Sequence, residues 1–186
     1  ASVHFAAVAT YPGLFGSDEK RSEDLKPFVK WTGMFDRFDR ELNSNEAQEE
    51  INKWQRQLRG YRDMPLKKMA SQVNEFVNET RYITDSKNWG KSDYWATPVE
   101  FIQRGGDCED FAIAKYTALR SLGVPEERLR IAIVHDNIKN IPHAILIVYT
   151  DEGAYALDNQ NEKLVDAERM ARYKPIFSIN RQAWWL

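Results

Sequence analysis

The residues with the clearest capacity for chemistry lie in the run Gly105-Gly106-Asp107-Cys108-Glu109-Asp110-Phe111. Cys108 is the one cysteine in 186 residues. It has no internal disulfide partner, and no Cys/His spacing suggests a zinc site. A solitary thiol is either a buried filler or a reactive group. The diglycine ahead of it and the helix-forming residues behind it place Cys108 in the first turn of a helix. Unpaired N–H groups and a partial positive charge at that position favour thiolate over thiol, and the same N–H groups can serve an oxyanion. A structural cysteine belongs in mid-helix on an apolar face, away from three acids.

Those acids carry a consequence of their own. At ~6 Å and an effective dielectric of ~20, each carboxylate costs a thiolate about 2.8 kcal/mol, roughly two pKa units. If Cys108 works as an anion, Asp107, Glu109 and Asp110 must be neutralised. A protonated histidine could do this, and so could Ca²⁺, whose preference is for hard carboxylate oxygens in a tight turn. The same acids could instead simply cap the helix, as acids in a first turn commonly do. The residues leave both readings open.

A thiolate nucleophile needs a base, and the chain has three histidines. His4 lies in an N-terminal arm and His135 in a strand-like run, whereas His143 opens Pro142-His143-Ala144-Ile145-Leu146-Ile147-Val148. Asp151-Glu152-Gly153 reads as a hairpin turn after that run. If Tyr149 pairs with Ala154, the ladder sets His143 opposite Gln160, and Asp158 points to the same face as the diagonal neighbour of His143. An imidazole–carboxylate hydrogen bond at that position would fix the tautomer and stabilise imidazolium.

The surrounding elements must position these groups. The arm through Phe15 reads as irregular. Leu25, Phe28, Trp31, Phe35 and Phe38 recur at helical steps between Ser17 and about Leu42, with Pro27 and Gly33 interrupting. Asn45 and Gln48 resemble a capping box for a second helix, stopped by Gly60. A third helix is expected from about Pro65 to Thr80. Residues 81–97 suit a packed loop. Thr97-Pro98-Val99-Glu100 starts a short helix that ends at Gly105-Gly106, and the helix from Asp107 closes at Gly123. Strands follow over Arg130–Ile138, Pro142–Thr150, Ala154–Asn159 and near Ile176–Ile179. Helices first and strands afterwards give an α+β chain with an antiparallel sheet. It is expected as one domain over 1–186, with a helical lobe at about 17–80 and the catalytic helix plus sheet at about 98–180.

Composition narrows the function classes. The 26 basic and 28 acidic residues leave a net charge of −2, too small a field to steer binding to nucleic acid or an anionic membrane. No apolar run reaches the ~18 residues of a membrane span. The start at Ala1 without Met is what a processed or truncated chain would show, so any signal peptide is expected to be gone.

The order Cys108, His143, Asp158, on a helix start and two neighbouring strands, resembles the transglutaminase-like branch of the papain-type superfamily. More narrowly it is similar to the bacterial transglutaminase-like cysteine peptidases. Trp95-Ala96-Thr97-Pro98-Val99-Glu100, Gly106-Asp107-Cys108-Glu109-Asp110, Pro142-His143-Ala144 and Leu157-Asp158-Asn159 carry the likeness. It is clear over about residues 80–160 and looser over the helical part. The resemblance implies a papain/transglutaminase-like fold and a calcium-dependent periplasmic cysteine endopeptidase. Such enzymes cut a large surface adhesin near its N-terminus, at a paired-alanine site, to release biofilm cells. It further implies sequestration by the periplasmic domain of an inner-membrane cyclic-di-GMP receptor (LapD-like). Carried over by motif, Cys108, His143 and Asp158 are catalytic and Asp107 and Glu109 bind Ca²⁺. Asp110 is a further ligand candidate, and Trp95 helps shape the oxyanion region. Two rivals stand beside this reading. An amine could capture the same thioester, giving a transglutaminase-type acyl transferase, or the chain could be a non-catalytic binding module using Trp184 and Trp185.

Overall fold

The computed structural model describes residues 11–186. His4 and the first part of the N-terminal arm lie outside the described residues. Among the described residues the six α-helices are α1 (Val29–Glu41), α2 (Asn45–Arg59), α3 (Leu66–Asn78), α4 (Asp85–Trp89), α5 (Pro98–Arg104) and α6 (Cys108–Ser121). The strands are β1 (Arg21–Ser22), β2 (Leu129–Asp136), β3 (Ile141–Thr150), β4 (Gly153–Leu157), β5 (Val165–Asp166), β6 (Tyr173–Ile179) and β7 (Trp184–Trp185). They form one sheet in the order β1-β7-β6-β2-β3-β4-β5, antiparallel at each pairing. The fold is α+β, as the order of the periodicities predicts.

Helix α6 is buried on nearly all sides, from Asp110 through Tyr116 and at Ala118 and Leu119, so its low amphipathicity reflects a central position. One face of β3, through Leu146 and Val148, shares a core with Phe111, Ala114 and Leu119 of α6, Val73 and Val77 of α3, and Trp31 of α1. The other face, through Ile145, Ile147 and Tyr149, packs on Leu14, Met170 and Tyr173. Covered on both sides, β3 reads as a continuous apolar run. Each fully buried side chain of this size contributes about 2 kcal/mol. The core therefore holds the start of α6 against the start of β3.

Local chemistry explains the boundaries. The helix expected from Ser17 begins only at Val29. Pro27 and Phe28 precede it, and the chain before them is extended, Arg21 and Ser22 pairing with Trp185 and Trp184. Leu25 and Phe28 still pack on the core, which is why they kept a helical spacing. The N-cap of α2 is Ser44, one residue before the expected Asn45, and its Oγ accepts from Ala47 N–H at 3.2 Å. The loop expected over 81–97 contains the short helix α4. The capping box at Thr97 and Glu100 is present as expected. The β3–β4 register also follows expectation, with Tyr149 opposite Ala154.

Two glycines set the approach to α6. Gly105 adopts a left-handed φ of +74°, and a Cβ there would lie 2.4 Å from Arg81 O. A Cβ on Gly106 would lie 2.5 Å from both Cβ and Oδ2 of Asp110. Backbone bonds from Gly106 N–H to Arg81 O (3.2 Å) and from Ile83 N–H to Gly106 O (2.9 Å) then dock residues 81–83 alongside. Gly106→Ala should therefore cost about 1–3 kcal/mol of stability, read as a lower midpoint in urea unfolding with an unchanged slope.

Candidate active site

The start of α6 gathers carboxylates. Asp110, 1% exposed, accepts from Asp107 N–H at 3.0 Å with Oδ2 and from Ala96 N–H at 2.8 Å with Oδ1. It caps the helix and fastens the 95–97 segment to it. The docking of residues 81–83 beside the diglycine delivers Asp85, whose Oδ2 accepts from Tyr94 N–H at 2.7 Å. Asp85, Asp107 and Asp110 each place a carboxylate oxygen within 4.8 Å of the others. One oxygen of Asp85 and one of Asp107 are buried with no hydrogen-bond partner among the described residues. Unsatisfied hard oxygens converging in a turn suit a divalent cation of the calcium type.

Cys108 is half-buried and free, and its Sγ lies 3.3 Å from Glu109 Oε2. The backbone N–H of Ala144 in β3 also acts on the sulfur, favouring its charged form. That N–H is accessible because β4 pairs with β3 only as far as Leu146↔Leu157, leaving the first residues of β3 without a partner on that edge. The neighbouring His143 is buried, and its Nε2 meets Asp158 Oδ1 at 2.8 Å. This leaves Nδ1 as the ring atom available to a thiol proton. Asp158 Oδ1 also accepts from Gln160 N–H at 3.0 Å, and Oδ2 accepts from Tyr173 O–H at 2.6 Å. The rings of His143 and Tyr173 stand 5.4 Å apart.

Electrostatics divide the site in two. Burial works against ionisation of Asp158, but hydrogen bonds from His143, Tyr173 and Gln160 outweigh it and hold the carboxyl below its usual range. Burial and the Asp158 carboxylate push the Tyr173 phenol up, so it remains a donor. Around α6 the direction reverses. Burial, then contact with Glu109 and the charge of Asp110, push Asp107 up to about 11. Burial raises Asp110 to about 7 against the two backbone N–H bonds that favour its charge. The Cys108 thiol is pushed up by burial, then by Glu109 and Asp107, with the Ala144 N–H opposing. A cation among these oxygens would cancel the charges that oppose a thiolate.

His143 and Asp158 are thus joined directly, Cys108 stands near Ala144, the residue after His143, and Asp107 and Asp110 lie in the carboxylate cluster. Glu109 faces the sulfur and also touches Asp107. Trp95 is buried, with its indole N–H on Asp93 at 3.3 Å and its carbonyl accepting from Arg37 at 2.7 Å. It is tied to α6 through the Ala96–Asp110 bond rather than by its ring. His135 pairs with Asn140 at 3.0 Å. Trp184 and Trp185 are half-buried in β7, where Trp184 packs on Phe28 and Arg130 stacks on Trp185. Sequence reasoning missed Asp85 and Tyr173. Asp85 sat in a polar loop with nothing local to mark it, and Tyr173 opens a strand recognised only from Ile176.

A family model described as bacterial transglutaminase-like cysteine proteinase, BTLCP, matches residues 33–185. The chain belongs to this family of cysteine proteinases. Among solved structures it is similar to Legionella pneumophila LapG in calcium-bound form, at 34% identity and TM-score 0.67 over 77% of this chain and 81% of that one. It is equally similar to EGTA-treated LapG from the same organism, at 36% identity and TM-score 0.67, covering 77% and 78%. No curated protein sequence matches it. No helix of the described residues is long and apolar enough to cross a membrane.

Because folded Asp110 (about 7) and Asp107 (about 11) titrate above their ordinary value of 3.8, the folded chain holds protons that the unfolded chain has released. Stability in chelator should therefore fall as pH rises from about 4 through 7, with Asp107 extending the decline beyond. Thermal melts across that range should show the downward slope, and Asp107→Asn should flatten it.

Proposed function

We propose that the protein is a calcium-dependent cysteine endopeptidase in which Cys108, His143 and Asp158 form the catalytic triad. The observation that carries the reading is the cysteine sulfur at the start of α6, near the β3 residue that follows His143, whose ring is already oriented by a buried carboxylate at 2.8 Å. The Cys108 sulfur attacks a peptide carbonyl as His143 Nδ1 takes its proton. The same imidazolium then protonates the leaving amine, giving a thioester on Cys108. Water, deprotonated by His143, hydrolyses that thioester and returns the thiol. Asp158 keeps Nε2 protonated and stabilises imidazolium. N–H groups at the start of α6 supply oxyanion donors, with the Trp95–Thr97 segment forming the adjoining wall.

Asp85, Asp107 and Asp110 would hold the calcium ion, with Glu109 at its margin. The ion supplies positive charge beside the sulfur and order to the loop. One relative, Legionella pneumophila LapG, known in calcium-bound and EGTA-treated forms, supports this choice of metal. The acids therefore serve both functions left open by the sequence, since Asp110 caps α6 with the oxygens of the same cluster.

The physiological reading follows the family resemblance. The substrate is a large surface adhesin cut near its N-terminus to release biofilm cells. The compartment is the periplasm, and the inhibitor is the periplasmic domain of a LapD-like cyclic-di-GMP receptor. Hydrolysis is favoured over acyl transfer because the family the chain belongs to is one of proteinases.

On a peptide carrying a paired-alanine site, the protein with calcium should produce two fragments, and EGTA should stop cleavage until calcium is restored. Cys108→Ala should lower the rate at least ~10³-fold. A mass increase in the presence of an amine, without fragments, would assign acyl transfer instead. Persistent cleavage by Cys108→Ala would remove the sulfur from the mechanism. Calcium at about 100-fold over its Kd should also raise Tm by about 5–10 °C, and Asp85→Asn should reduce that gain.

A further inference from the structure

One aromatic ring stands in the open next to the start of α6. Tyr82 is 55% exposed, yet both its backbone and its ring are held. The backbone bridges in parallel to Gly106, through the bonds from Gly106 N–H to Arg81 O (3.2 Å) and from Ile83 N–H to Gly106 O (2.9 Å). The ring stacks on Phe111, with centroids 6.3 Å apart and planes inclined at 22°. Phe111 is 3% exposed and meets the buried Phe101 edge-on at 4.8 Å. Tyr82 is therefore the outer member of an aromatic column rooted in the core.

That column stands against the turn of α6 that carries the sulfur. Cys108 opens the helix, and Phe111, three residues on, lies on the same face. Gly106, the bridge partner of Tyr82, comes two residues before Cys108. With paired strands about 4.8 Å apart and a reach of at most about 3.5 Å per residue, the Cα atoms of Tyr82 and Cys108 lie within about 12 Å. An extended peptide spans that distance in three or four residues. A peptide whose carbonyl reaches the sulfur can therefore lay a nearby residue on the ring. Burial, then the charges of Cys108, Asp107 and Glu109, push the Tyr82 phenol up, so its O–H stays a donor.

We propose that Tyr82 is a substrate-binding residue whose ring forms one wall of the cleft beside Cys108. The occupant is the peptide substrate itself, with an apolar side chain close to the scissile bond on the ring and the Tyr82 O–H on a main-chain carbonyl. A ring already fixed by its backbone and by Phe111 gives contact area with little rotamer freedom left to lose on binding. This inference rests on the reading of Cys108 as the nucleophile. A ring serving only to roof Phe111 would instead contribute to stability and leave substrate affinity unchanged.

The test compares hydrolysis of the paired-alanine peptide with alkylation of Cys108 by iodoacetamide, both in excess calcium, for the parent, Tyr82→Phe and Tyr82→Ala. Iodoacetamide is too small to need the wall, so it reports the sulfur alone. Tyr82→Ala should lower kcat/KM about 10- to 100-fold, mostly through KM, without slowing alkylation. Tyr82→Phe keeps the ring and should lose only about 2- to 5-fold. An unchanged KM in Tyr82→Ala, or a loss of hydrolysis matched by a loss of alkylation, would overturn the role. A parent that is alkylated but leaves the peptide whole would sink the proteinase reading, and the role of Tyr82 with it. Should Tyr82→Ala fail to fold, Cys108→Ala carrying ¹³C-labelled tyrosine keeps the proposal testable. The uncleaved peptide should shift the Tyr82 ring signals in its NMR spectrum, and signals unmoved at saturating peptide would overturn the proposal.

Discussion

Three carboxylates packed against the first turn of one helix are the constraint on which the rest of the site depends. Asp85, Asp107 and Asp110 approach within 4.8 Å of one another beside the only cysteine in the chain. Like charges at that separation repel strongly in a partly dry environment, so the cluster is held together by structure elsewhere. The diglycine brings residues 81–83 against 105–106, Asp110 uses both oxygens on backbone N–H groups, and Tyr94 N–H holds Asp85. Every one of these bonds also fixes the sulfur, because Cys108 is the first residue of the helix they anchor.

The second half of the site is built on the opposite electrostatic principle. His143, Asp158 and Tyr173 form a buried chain of donors and acceptors in which the carboxylate is favoured as an anion. The two halves meet where β3 outlasts β4, leaving the Ala144 N–H exposed to the sulfur. Sheet geometry alone creates this edge. The turn at Asp158, where Gln160 N–H folds back onto Oδ1, ends β4 and aims the carboxylate at His143 in one step.

Much of this was legible in the residues because it depends on local rules. A hairpin turn at 151–153 fixes the β3–β4 register, and register parity then places His143 and Asp158 on one face. Glycines, a proline and capping acids mark the ends of α5 and α6. What could not be read depends on distant contacts. Asp85 joins Asp107 only because the chain bridges Tyr82 to Gly106. The start of α1 was obscured because Leu25 and Phe28 face the core from non-helical backbone, mimicking helical spacing. The two-residue strands β1 and β7 are too short to carry a period, and their pairing with each other links opposite ends of the chain. Tyr173 was hidden for a similar reason, since its role comes from a sheet neighbour that no spacing rule predicts.

The central claim is that a cation among the carboxylates converts an inert, acid-flanked thiol into a nucleophile. With one cysteine in the chain, the rate of iodoacetamide alkylation at pH 7 reports that sulfur alone. The account predicts alkylation at least ~10-fold faster in excess calcium than in EGTA, since cancelling even one neighbouring charge is worth more than one pKa unit. Equal rates in the two solutions would contradict it.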